Sequence, residues 1–182
     1  MACDFAELKA AVTLGHSLVG TSHIDYQTLE RRFGICNEIV QGTYCETEKC
    51  LKGYFILYPL SASACDAINH REIVNGRGIL DEHFETGFNT ASGVYVGMVG
   101  ATSLSAKGLI LKELLSLIQQ IMEKGCVQYV YTRGATPSGH RVISDYGFQN
   151  LGYPSEIQRL YIGRGAVLPN RLSRRLSGFA VH

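Results

Sequence analysis

The apolar positions of this chain change period several times, and those changes divide it into elements. Phe5, Leu8, Ala11, Val12 and Leu18 recur at helical spacing. Tyr26, Leu29 and Phe33 share one face of a second, short helix, with Asp25 as its N-cap and Gly34 as its stop. From Glu38 the pattern becomes that of strands: Ile39, Val40, Thr43 and Tyr44, then the run Tyr54-Phe55-Ile56-Leu57-Tyr58, closed by Pro59. The polar segment Glu46–Gly53 between them predicts an antiparallel hairpin. Ser61 or Ser63 caps a third helix carrying Ala64, Ala67 and Ile68, with Ser63 and Asp66 spaced as a capping box.

Asn75-Gly76-Arg77-Gly78 reads as a turn, and Asp81–Thr90 as a carboxylate-rich connection. Val94–Val99 is almost wholly apolar, which predicts a central strand covered on both faces. A long amphipathic helix from about Lys107 to Lys124 follows, with Leu111, Leu114, Leu115, Ile118, Ile121 and Met122 as its stripe and Gly125 as its stop. A helix of that length makes a natural crossover, so Val127–Thr132 is expected to run parallel to the strand before it. Thr136-Pro137 opens a short helix that ends at Tyr146-Gly147, and Ile157–Ile162 is the last strand, a natural dimer seam if it lies at an edge.

Composition narrows the function classes. The 182 residues suffice for one domain with a sizeable core, expected over 1–165, with a basic tail over 166–182 that includes Arg171, Arg174 and Arg175. Apolar residues at 46% argue against disorder, and a net charge of +1 gives no field that would select nucleic acid. Asp4 and Glu7 interrupt any secretory pattern at the N-terminus, and no apolar stretch is long enough to cross a bilayer, so a soluble cytoplasmic protein is expected. None of the six cysteines has zinc-ligand spacing; they read as free thiols, and no metal is expected.

The order helix, helix, hairpin, central strand, long helix, strand, short helix, strand resembles the GCN5-related N-acetyltransferase (GNAT) superfamily. The local matches are "SAKGLILKELL" at the start of the long helix, "ATPSGHRVISDYGF" at the last core helix with its Gly147-Phe148 ending, and "GYFILYPLS" at the hairpin arm. The resemblance implies an α/β (α+β) fold: a mixed central sheet with an antiparallel N-terminal hairpin, splayed parallel strands and flanking helices.

It also implies chemistry, namely acyl transfer from acetyl-coenzyme A to a small-molecule or protein amine. In the superfamily the pantetheine arm pairs with the central strand and the next loop wraps the pyrophosphate with N–H groups. Carried onto this chain, Met98, Val99 and Gly100 face pantetheine, and Ser105, Ala106, Lys107, Gly108 and Leu109 form the phosphate loop. Only Gly108 of the loop's usual glycines is present, and Ile143 stands where many members carry a tyrosine acid. Tyr146 is the nearby alternative acid. Among Asp81, Glu82, His83 and Glu85 ahead of the central strand, Glu85 is the candidate base. His140 and Ser138 read as surface and capping residues, and His16 and His23 as ordinary polar residues of the N-terminal helices. The departures leave a second reading open: a GNAT-fold binding or regulatory protein without transferase activity.

Overall fold

The computed structural model describes residues 5–20, 24–45, 50–153 and 155–163. His23 and the basic tail lie outside them. In chain order the elements are α1 (Phe5–Val19), α2 (Tyr26–Ile35), β1 (Val40–Cys45), β2 (Cys50–Leu60), α3 (Ala62–Asn69), a 3-10 turn (Asp81–His83), β3 (Gly93–Ala101), α4 (Leu104–Lys124), β4 (Tyr129–Thr132), α5 (Pro137–Asp145), β5 (Gln149–Asn150) and β6 (Gln158–Tyr161). The strands form one mixed sheet in the order β1-β2-β3-β4-β6-β5. β1/β2 pair antiparallel and β3/β4 parallel, as the turn signals and the long crossover predict. The described residues group into two compact units.

The first unit comprises residues up to Leu57 together with Met98–Leu114. Asp25 caps α2 as expected, accepting the Thr28 N–H at 2.9 Å and its hydroxyl at 2.8 Å; these bonds hold its carboxyl below the usual carboxylate range. Gly34 does not stop α2. It lies inside the last turn, and the Cys36 N–H closes the helix on the Arg32 carbonyl. Leu8, Leu29 and Ile110 are fully buried, each burial worth about 1.5–3 kcal/mol. A Cβ on Gly53 would meet Ile110 of α4 at 2.7 Å and Ala101 at 3.1 Å, whereas one on Gly100 would meet Leu18 of α1 at 2.7 Å. Neighbouring strand residues face opposite ways, so α1 and α4 pack on opposite faces of this part of the sheet.

The second unit comprises Tyr58–Gly97 and the described residues from Leu115 on. Ser61, rather than Ser63, caps α3 by accepting the Ala64 N–H at 3.2 Å, so the capping box with Asp66 does not form. Pro59 lies inside β2 rather than closing it, and its carbonyl accepts the Glu85 N–H at 3.0 Å. α3 packs over Gly93 through Cys65 and over Tyr131, whose hydroxyl donates to Asn69 Oδ1 at 3.2 Å. Arg159 on β6 donates to the same oxygen at 2.9 Å and stacks on Tyr129. Thr136 caps α5 by accepting the Gly139 N–H at 3.1 Å, with Pro137 in its first turn; at the other end Gly147 takes φ +79°, a conformation that costs other residues a Cβ clash. β6 is not the sheet edge. The two-residue β5, too short to leave a pattern, covers Gln158 and Arg159, so the predicted dimer seam is partly occupied.

Candidate functional site

β3 and β4 pair residue by residue from Gly93↔Tyr129 to Val96↔Thr132, and there the ladder ends. β3 runs on for five more residues, Gly97 to Ala101. Val94–Val96 are buried as a central strand requires, but Gly97 and Val99 are exposed, Val99 by 37%. The sequence expectation of a strand covered throughout therefore fails at its second half. The Val96 carbonyl turns toward β4, where it accepts the Thr132 hydroxyl at 3.1 Å. Beyond Val96 this ladder does not continue, whereas the far end of β3 is held on its other side by the hairpin: the Gly100 oxygen lies against Gly53 and the Thr102 N–H donates to the Lys52 carbonyl. A strand edge open in this way can accept another extended chain.

The same strand leads into α4. Thr102 is tied to the hairpin by two bonds to the Lys52 carbonyl, from its N–H at 2.8 Å and its hydroxyl at 3.1 Å. Ser103 then caps the helix: its hydroxyl accepts the Ala106 N–H at 3.2 Å and its carbonyl the Lys107 N–H at 2.9 Å. α4 thus begins three residues before Lys107, and Ser105–Leu109 are its opening turns rather than a loop. Of its first N–H groups, those of Leu104 and Ser105 have no intrahelical acceptor. A helix N-terminus with two free N–H groups and an exposed Lys107 suits an anion. Ala106 is buried and packs inward, so it offers nothing beyond spacing. Gly108 is exposed, and a Cβ there would meet nothing within 4 Å; the fold has no need of glycine at this position. Leu104 and Leu109 flank it, 87% and 52% exposed.

Leu18 of α1 belongs to the same unit. Its side chain and that of Met98 lie over the buried Gly100, where a Cβ would meet them at 2.7 and 3.1 Å. Leu18 therefore walls the strand segment from the helical side. Periodicity marked Leu18 only as a helix-face residue, and nothing local pointed to Gly100 as its partner.

In the second unit, Glu85 follows the 3-10 turn and is half-buried. Its backbone is fixed by the bond to Pro59, while its carboxylate makes no hydrogen bond or ion pair among the described residues. Its neighbour Phe84 stacks on Tyr58 at 4.9 Å, and Tyr58 on Tyr95 at 6.4 Å. His83 is committed elsewhere, because its Nδ1 accepts the Leu80 N–H at 2.9 Å. Tyr146 is the C-terminal cap residue of α5, its ring 7% exposed. Its hydroxyl has no hydrogen-bond partner among the described residues. No hydrogen bond joins Glu85 to Tyr146. His140 lies against Gly134, where a Cβ would sit 2.6 Å from its Nδ1, so it serves packing. Ser138 does not cap α5; Thr136 does. Ile143, at the position of the usual acid, is a buried core residue. Among the described residues no group of three His, Cys, Asp or Glu side chains could hold a metal ion. No described helix is long and apolar enough to cross a membrane.

No protein-family model matches the sequence, and no curated protein matches it significantly. Solved structures do match its architecture. A putative acetyltransferase from Staphylococcus aureus Mu50 superposes with a TM-score of 0.56 at 10% identity, covering 88% of this chain and 97% of that one. A GNAT-family acetyltransferase from Listeria monocytogenes superposes with a TM-score of 0.52 at 13% identity over 88% and 92% of the two chains. The loading GNATL domain of CurA from Lyngbya majuscula gives a TM-score of 0.50 at 12% identity over 73% of this chain, which spans 62% of that domain's chain. These likenesses show the fold: the architecture of this chain is that of the GCN5-related N-acetyltransferases.

Proposed function

We propose that this chain is an acyl-coenzyme A-dependent N-acyltransferase that moves an acetyl group from acetyl-coenzyme A to a small-molecule or protein amine. The observation that carries the proposal is the open edge of β3 beyond Val96, followed within a few residues by the free N-terminus of α4. The pantetheine arm would run along the segment Met98, Val99 and Gly100, with Leu18 as an apolar wall. The pyrophosphate would take the Leu104 and Ser105 N–H groups and the Lys107 ammonium, and the bare helix surface at Gly108 leaves it room for close approach. In the reaction the amine nitrogen attacks the thioester carbonyl, its proton leaves to a base, the carbon–sulfur bond breaks and the thiolate takes up a proton. Glu85, with an uncommitted carboxylate, is the proposed base, and Tyr146, with an uncommitted hydroxyl, the proposed acid.

Two observations favour a second reading, a GNAT-fold binding protein without transferase activity. Ile143 is buried where a tyrosine acid commonly stands, and Ser103 already occupies two of the α4 N-terminal N–H groups. Titration calorimetry with acetyl-coenzyme A, paired with a thermal-shift series, separates these readings. Saturable binding that Gly108→Trp abolishes, with turnover on an amine panel, supports the transferase. Binding without turnover supports the second reading. Neither heat nor a thermal shift at millimolar ligand removes the transferase reading.

A further inference from the structure

The last rung of the β1/β2 ladder pairs Cys45 with Cys50. Neither is in a disulfide, and both are half-buried rather than sealed in the core. Opposed residues of an antiparallel pair point their side chains to one face, with Cα atoms about 4.5–5.5 Å apart. That separation lies within the roughly 4.4–6.8 Å that a disulfide spans. The other described cysteines have no such partner: Cys36 and Cys65 are buried in the core, and Cys126 is exposed after α4. None of those three faces another cysteine across a ladder.

We propose that Cys45 and Cys50 form a reversible redox pair that closes into a cross-strand disulfide by exchange with a low-molecular-weight disulfide of the glutathione type. One thiolate attacks a sulfur of the oxidised reagent, forming a mixed disulfide and releasing one reduced reagent molecule. The second thiolate then attacks the protein sulfur of that mixed disulfide and expels the other. The two cysteines lose two electrons to the reagent, and their two protons pass to the released thiols. In a reducing compartment the pair stays open, and an oxidising shift closes it.

The position of the pair gives closure a structural consequence. The ladder shifts register between Thr43 and Tyr44, opposite Leu51–Gly53, so Lys52 lies at the irregularity, two residues from Cys50. The Lys52 carbonyl holds Thr102, immediately before the Ser103 cap of α4. A bridge between Cys45 and Cys50 would fix the hairpin end that carries this anchor. The inference stands on the ladder register and does not depend on acyl transfer.

The test equilibrates the full chain in graded mixtures of reduced and oxidised glutathione, quenches with N-ethylmaleimide, and reads intact mass and tryptic peptides. Cleavage at Lys49 separates the two cysteines, so a bridge appears as two joined peptides. The expected result is loss of two alkylations together, a Cys45–Cys50 linked pair, and recovery of both alkylations in dithiothreitol. Cys45→Ser and Cys50→Ser should each trap the remaining cysteine as a glutathione adduct. Both cysteines staying alkylated at every ratio, adducts accumulating on both, or linkage to Cys3 or Cys126 instead would overturn the proposal.

Discussion

The Thr132 hydroxyl donates to the Val96 carbonyl at 3.1 Å on the last rung of the β3/β4 ladder, and Thr132 is only 9% exposed. A side chain thus supplies a donor to the Val96 carbonyl at the point where the ladder stops. Thr132→Val keeps the shape and removes the donor. It should cost about 1–3 kcal/mol in urea denaturation, because the carbonyl loses its partner in a buried setting. Thr132→Ser keeps the hydroxyl and should recover most of that loss. Equal destabilisation by the two variants would mean the methyl group, not the hydrogen bond, matters.

Gly108 sits in a helix, without positive φ, facing open space. Gly108→Ala should therefore raise stability by up to about 1 kcal/mol, since alanine restricts the unfolded chain and favours the helix. If a phosphate approaches this backbone, the same methyl group should weaken acetyl-coenzyme A binding. Opposite signs in thermal melts and calorimetry are the expected outcome. A stabilised variant with unchanged affinity would move the phosphate site away from α4's opening turns.

Elements that rest on local signals were legible in the sequence. α5 is bracketed by Thr136-Pro137 and Gly147, and α4 carries an unbroken apolar stripe, so both were found with their neighbours β3 and β4. The start of α4 is not legible from periodicity, because exposed Leu104 and Gly108 look unlike a helix opening, although Thr102-Ser103 carries a capping signal. The half-exposed end of β3 could not be read, because Val94–Val99 is uniformly apolar and the ladder's end depends on Thr132, distant in sequence. Leu18 over Gly100 and Cys45 opposite Cys50 likewise depend on packing and register, which periodicity alone does not fix.

Glu85 and Tyr146 divide the proposed proton transfers, and their substitutions should act on rate rather than on donor binding. Glu85→Gln should lower kcat by about 10²–10⁴-fold on any accepted amine, with the Kd for acetyl-coenzyme A unchanged. The loss should shrink as pH rises and more of the amine is already free of its proton. Tyr146→Phe should lower kcat without that pH dependence if its hydroxyl protonates the leaving thiolate. Turnover surviving both changes would leave proton transfer to water or to the substrate.

Cys65 links the second unit's core to pH. Burial against Gly93 and Tyr131 pushes its thiol up from about 9 to about 11, and burial raises the Tyr131 phenol as well. Both groups are neutral when protonated, and the fold disfavours their ionised forms. Their contribution to stability is therefore complete below the unfolded thiol's pKa and is lost as pH climbs toward the folded value. Chemical denaturation should show stability falling between about pH 9 and pH 11, by an amount on the order of 3 kcal/mol for the thiol alone. Cys65→Ala removes the ionising group; it should lower stability at neutral pH through the lost sulfur contacts yet flatten the alkaline decline. A decline of equal steepness in the variant would assign the effect to Tyr131 and its neighbours instead.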